Sequence, residues 1–325
     1  LGLYTLREDH YDEYVKDAKK DRTGDRAHLI VMGPTHLIER AREDGMPIDA
    51  AIEVHAADHE GLFRNEAGEW VVPTTPPASM GASWAFTTEF VAACARRGRM
   101  PVMHQSYAVE GAFERAQQLK GKKFYDQEPE SVPAGVLGRQ YLDRVRAELL
   151  HFFVKEKDNL SRAVDMAWQH REAGGRLFMF AHGHAIVMQQ VNYPHSPGYF
   201  KQLNNNWYTQ HRKYTLEEGD FVFCLGYDDV YHAGRYKQWD DKARAAGATL
   251  VWCITDYKET AIASIRKHNE LLINQHWGFG NAIVDVPGFD LRIAPSSGYL
   301  VQAIMRLMNA GLLERDLSPS EHAAE

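Results

Sequence analysis

At 325 residues, 44% of them apolar and 25% charged, the chain has material for two soluble domains of ordinary size, each burying its own core. A net charge of −7 argues against a polyanion as main partner, because nucleic-acid binding leans on clustered Lys and Arg, and the basic cluster at 120–123 reads as a solvated turn. The longest apolar runs, 177–181 and 248–254, are too short to span a bilayer; Cys94, Cys224 and Cys253 form no CxxC pair, which fits free thiols in a reducing cytoplasm.

The opening "LGLYTLREDHYDEY" reads as the end of a strand already under way, followed by a helix over 9–20 and strands over 28–32 and 50–54. Residues 99–135 begin with the strand-like "PVMHQS", continue as a helix over 109–119 and end in a Pro/Gly/Glu-rich linker. Apolar residues three and four apart from Leu142 to Trp168 predict a long amphipathic helix over 141–174, with room for a break near Lys157. Then come strand 177–181, strand 220–225 with helix 232–246, strand 249–254 with helix 259–267, strand 271–274, an apolar stretch 282–286 and a closing helix 298–312. Short apolar strands alternating with helices predict a parallel sheet covered on both faces, with right-handed crossovers.

The first part can be laid on the second. Leu1-Gly2 matches Leu225-Gly226, helix 9–20 matches 234–246, strands 28–32 and 50–54 match 249–254 and 271–274, and "PASMGASWAFTTEF" (77–90) matches "APSSGYLVQAI" (294–304). His55 and His276 fall at the same place, just past a strand. Leu1 would then be the tail of a strand in a first copy whose long helix and first strand lie upstream in a longer product.

These features, with "GGRLFMFAHGHAIVMQQ", "GDFVFCLGYDD", "GATLVWCITD" and the terminal "PSSGY" helix, resemble the sugar isomerase (SIS) domain family. "MGASWAFTTEF" is similar to a stretch of the glucosamine-6-phosphate synthase family, whose isomerase half is a tandem of two such domains. The resemblance implies an α/β fold with doubly wound, flavodoxin-like parallel sheets in two tandem SIS-like units: a partial one at 1–100, a connecting segment at 101–140, a complete one at 141–315 and a polar tail at 316–325. Ligands of such sheets bind beyond the carboxyl ends of the strands, where the strand order switches.

Three loops would line that site in the second unit. In "AHGHAI", His182, Gly183 and His184 stand where the family has a Gly-Ser-Gly-type turn; the histidines read either as loop residues or as ligand contacts. In "GYDDVYH", Tyr227 and Asp228 replace a Ser/Thr-rich phosphate cup, and Asp228 with Asp229 would repel a phosphate. In "APSSGY", Ser296 and Ser297 read both as an N-cap pair and as ligand contacts. Ser79, Ser83, Thr87 and Thr88 are the matching hydroxyls of the first unit, with Trp84 beside them.

Aldose–ketose isomerisation needs a base that moves a proton between adjacent carbons, and His55 and His276 are the candidates, open equally to a structural reading. Glu89 stands where the resembling motif has Gln. "HAADHE" (55–60) makes a weak metal motif, since the repeat places it in a loop, and neither a metal nor a cofactor is implied. His104, Ser106 and Tyr107 read as plain loop residues within reach of a cleft. The implied function is binding of a carbohydrate derivative, as a sugar or sugar-phosphate isomerase or as a non-catalytic sensor or scaffold. The expected assembly is a homodimer or larger, formed by pairing helices. A nucleotide-binding reading lacks a GxGxxG or Walker loop.

Overall fold

The computed structural model describes residues 2–7, 10–22, 28–55, 61–107, 109–181, 191, 193–203, 214–257, 263–269 and 271–317, without the side chains of 2, 21–22, 228–233, 235 and 264. His182, Gly183, His184 and the 56–60 part of the metal motif lie outside them.

The first half runs β1 (Gly2–Thr5), α1 (Tyr11–Arg22), β2 (Leu29–Gly33), α2 (Thr35–Glu43) and β3 (Ala50–Glu53), and its three strands form a parallel sheet in that order. An antiparallel hairpin follows, β4 (Phe63–Arg64) with β5 (Trp70–Val71), and then the 21-residue α3 (Thr75–Ala95). After the short α4 (Ala112–Gln118), α5 (Val136–Glu172) runs 37 residues without a break at Lys157. Its amino end is held from outside: both carboxylate oxygens of Glu89 accept main-chain N–H groups, of Gly135 and Gly138, at 2.7 Å each. Glu89 therefore serves helix α5, and a Cβ at position 138 would crowd it at 3.0 Å.

The second half contains β6 (Leu177–Ala181), β7 (Lys201–Gln202), β8 (Phe221–Asp228), α6 (Asp229–Ala245), β9 (Thr249–Thr255), α7 (Ala263–Arg266) and β10 (Leu272–Asn274). All five strands are parallel, in the order β7-β6-β8-β9-β10, so the order switches between β6 and β8. The uninterrupted apolar runs of β6, β8 and β9 follow from this placement, since both faces are covered. Phe221, Phe223, Leu225, Val251 and Cys253 pack toward α5 and the last helix; Phe178, Phe180, Val222, Trp252 and Ile254 pack on the other face with Tyr236 of α6. Residues 282–286, expected to extend this run of strands, instead open a hairpin: β11 (Ala282–Asp285) pairs antiparallel with β12 (Arg292–Pro295). The fifth strand of the sheet is β7. "PVMHQS" forms only a single bridge, Pro101 with Phe124. The last helix, α8 (Ser297–Leu317), is again 21 residues long.

The two halves therefore share one order of elements from β1 to α3 and from β8 to α8: three parallel strands, a hairpin and a long helix. Details repeat as well. Val54 N–H bonds Gly33 O at 2.9 Å and Gln275 N–H bonds Ile254 O at 3.1 Å, at matching strand ends. Val72 (φ 64°) and Ala294 (φ 59°), each three residues before the long helix, both adopt a backbone conformation rare for side-chain-bearing residues. A size exchange links the matching strand pairs: Gly33 lies under Leu6, while Gly226 lies under Ile254. The matching of helix starts pairs Thr75 with Ser297, which corrects the sequence alignment of Ser79 and Ser83 with Ser296 and Ser297.

Helices α3 and α8 join the halves. Gly81 meets the Tyr299 ring, and buried Arg306 donates from Nε to Pro73 O and from Nη1 to Gln302 O at 3.0 Å. Burial pushes the Arg306 guanidinium down to about 10. Among the described residues, no helix is long and apolar enough to cross a membrane.

Candidate functional site

Beyond the carboxyl ends of β8–β10, polar groups from four segments converge. Tyr227, at the end of β8, has its N–H on Tyr236 Oη at 2.7 Å, and its own hydroxyl lies 3.4 Å from Ser106 Oγ. Asn281 donates from Nδ2 to Tyr227 Oη at 2.9 Å and accepts at Oδ1 the N–H of Ser297, the first residue of α8, at 2.9 Å. Asn281 O accepts the N–H of Ser296, and Ser296 O accepts that of Leu300, which sets Ser296 at the N-cap of α8. An N-cap serine ordinarily turns its hydroxyl onto the helix's first N–H groups. Here the Ser296 hydroxyl is fully buried and faces the Glu148 carboxyl of α5 instead of the helix's own N–H groups, because Asn281 has taken over the capping.

Glu148 of α5 completes the cluster. One of its carboxylate oxygens is buried without a partner. Burial pushes its pKa above the ordinary carboxylate value, while the Ser296 hydroxyl, the Gly278 N–H and Arg144, all facing it, pull in the opposite direction. Buried polar atoms without partners are rare in folded proteins, and a carboxyl held this way is suited to taking and returning a proton. An aromatic wall backs the cluster: Tyr227 and Trp277 rings are 4.7 Å apart, Tyr257 stands edge-on to Trp277 at 5.6 Å, and Phe279 to Tyr257 at 5.2 Å.

The other expected residues fall as follows. His276 follows β10, but its Nε2 lies 2.7 Å from Glu156 Oε1 of α5 and its ring stands edge-on to His151 at 5.2 Å, so it is engaged as an ion-pair partner. His55 occupies the corresponding place after β3 and is exposed. Asp228 ends the β8 ladder opposite Thr255. Ser79, Ser83 and Thr87 lie inside α3 because that helix begins at Thr75. Ser83 and Thr87 return their hydroxyls to the carbonyls of Ser79 and Ser83, at 2.8 Å each, while the Ser79 hydroxyl is buried without a partner. Trp84 packs against the core between α3 and α5. Thr74 is the N-cap residue of α3 and makes no side-chain cap, as Ser296 makes none for α8; the hydroxyls of Thr74 and Thr75 are buried without partners.

Sequence reasoning missed Glu148, Asn281, Thr74 and Thr75. The "PTTPP" stretch at 73–77 carried a signal for the threonines, a hydroxyl pair ahead of Pro at a helix start. Glu148 carried none, standing among Leu149, Leu150 and exposed charges on a long helix.

A cleft of about 640 Å³ opens at the opposite end of the sheet, between the β4–β5 turn and the end of α8. Its arginines are engaged, Arg171 with Asp316 and Arg176 with Asp220, at 2.7 Å each, so it offers no free anion cradle. Among the described residues, no group of three or more His, Cys, Asp or Glu side chains is placed to hold a metal ion.

No protein-family model and no curated protein matches the chain. Among solved structures, the chain is similar to the C-terminal domain of glucosamine-fructose-6-phosphate aminotransferase from Francisella tularensis, with 10% identity over 96% of this chain and 83% of that one. The TM-score is 0.41. At that score the likeness adds nothing to what the chain's own sheets establish.

Proposed function

We propose that this chain is a carbohydrate-derivative-binding protein of the SIS kind, built from two tandem units, the first partial. In this reading it moves a proton between adjacent carbons of a sugar at the amino end of α8. The observation that carries the reading is the buried Ser296 hydroxyl facing the Glu148 carboxyl, one of whose oxygens is buried without a partner, at the carboxyl edge of a parallel sheet. Ser296, Tyr227 and Asn281 would bind and orient sugar hydroxyls. Glu148, as carboxylate, would take the proton from C2 of an open-chain aldose and return it to C1, while the O2 proton passes to O1, so the ketose forms with no net change in atoms. Tyr227 and Asn281 are placed to assist the oxygen proton.

The substrate class follows from charge. The structure has no loop at 226–232, since β8 ends at Asp228 and α6 opens at Asp229; this strand-to-helix junction supplies carboxyls where a phosphate cup would need hydroxyls, and Glu148 adds another. A dianion would be repelled by more than one helix amino terminus returns, so a neutral or cationic sugar is favoured. A non-catalytic sensor is the second reading, favoured by the engagement of His276 with Glu156, which removes the base expected from sequence. Calorimetric titration with glucosamine and glucosamine 6-phosphate, at pH 6 and pH 8, in the parent chain and in Asp228→Ser, tests the site. Tighter binding of glucosamine by the parent at pH 8 is expected, with Asp228→Ser narrowing the gap. Tighter binding of the phosphate by the parent at pH 8 would overturn the charge argument.

A further inference from the structure

The loop between β10 and β11 carries two groups that shape the site: the Gly278 N–H, which faces Glu148, and Asn281, which caps α8 and bonds Tyr227. Its backbone nevertheless sits where side-chain-bearing residues rarely go, with His276 at φ 59° and Asn281 at φ 62°. Such conformations persist only where surrounding contacts over-determine them. The contacts are present: His276 Nε2 is 2.7 Å from Glu156 Oε1, Asn159 donates to the other Glu156 oxygen at 2.8 Å, and the His276 N–H bonds Asn274 Oδ1 at 2.9 Å. Glu156 is buried and lies on the same helix as Glu148, so α5 carries both the carboxyl that grips the loop and the one the loop serves.

We propose that His276 and Glu156 form a positioning pair, pinning this strained loop to α5 so that Gly278 stays on Glu148 and Asn281 stays on α8. The proposal rests on the reading of Glu148 as the carboxyl of the site. The groups facing Glu148 are Arg144 on its own helix, Gly278 on the loop and Ser296 at α8; those facing His276 are Glu156 and His151. Releasing the loop removes an N–H that favours ionised Glu148, so the proton affinity of Glu148 rises. Loss of the Glu156 charge acting through space would do the opposite, since removing a nearby negative charge makes a carboxyl easier to ionise. The direction of the change therefore separates positioning from simple electrostatics.

The test is a carbon-13 NMR titration of glutamate carboxyls in the ligand-free full chain, with the Glu148 signal assigned by Glu148→Gln. It needs no substrate, so it can fail independently of the functional reading. Glu156→Ala is expected to raise the Glu148 midpoint by about one pH unit, and Gly278→Pro, which removes the donor and also restrains the loop backbone, to raise it as well. Glu156→Gln keeps an acceptor for His276 and is expected to restore the parent midpoint. Should Glu156→Ala not fold, Glu156→Leu, which removes the same charge and acceptor while filling the space, is read in its place. An unmoved or lowered midpoint in a folded Glu156→Ala or Glu156→Leu chain would overturn the proposal.

Discussion

Ser296 is an N-cap residue whose hydroxyl does no capping, and that separates two roles usually merged in one side chain. Losing an N-cap hydroxyl commonly costs about 1 kcal/mol. Here Asn281 supplies the acceptor, so Ser296→Ala should change stability by less than about 0.5 kcal/mol while weakening sugar binding several-fold, measured by urea unfolding and calorimetry on one preparation. Glu148 has the complementary signature. Its folded-state pKa is raised, so ionisation opposes folding: the penalty is absent below the unfolded carboxyl value near 4.3 and grows as pH rises through the folded value. Glu148→Gln should therefore raise the melting temperature by about 2 °C at pH 8, and by nothing measurable at pH 4. An equal rise at both pH values would show that the carboxyl is not under this strain. Neither residue announced its role in the sequence. Ser296 was legible as a helix start, but its freedom from capping depends on Asn281, fifteen residues away and in an unusual backbone conformation.

Among the elements, those with a strong local period were legible. The three- and four-residue spacing from Leu142 to Trp168 gave α5, and the apolar runs of β6, β8 and β9 gave the buried strands. Ala282–Asp285 reads equally well as a fifth parallel strand, because three apolar residues in a row do not encode their partner; only the return at Arg292–Pro295 makes it a hairpin. Strand β7 is two polar residues at a sheet edge, too short to leave a pattern. Laying 77–90 on 294–304 sets Ser79 against Ser296, too late in the chain, because α3 already starts at Thr75, with Pro fitting its first turn. Val72 and Ala294 carry a cost invisible to any period, about 1 kcal/mol each for the left-handed backbone. Ala294→Gly should recover about 0.5–1 kcal/mol in chemical denaturation, whereas Val72→Gly should lose stability, because removing a buried valine side chain costs about 1.5–3 kcal/mol, more than the backbone relief returns. Destabilisation by Ala294→Gly would show that the site's hairpin relies on that side chain.

Over the whole molecule, the same order of elements occurs twice and the two runs pack through their last helices, with an uncapped hydroxyl at Thr74 and at Ser296. The shared order of elements was readable because such order survives when identity does not; its register was not, since the matching residues, Thr75 with Ser297 and Leu6–Gly33 with Gly226–Ile254, share shape and position rather than residue type. Of the candidate site, the sequence offered Tyr227 and Ser296 as candidates but not the carboxyl, because α5 brings it from far along the chain. The proposed chemistry is tested most directly by solvent exchange at the sugar carbon. Glucose, or the neutral aldose that most stabilises the protein, would be incubated with it in deuterium oxide and the C2 proton followed by NMR. A C2 signal that disappears with the parent chain and persists with Glu148→Gln is the predicted result; a sugar that binds the parent chain yet keeps its C2 proton would contradict proton transfer and leave the site a sensor.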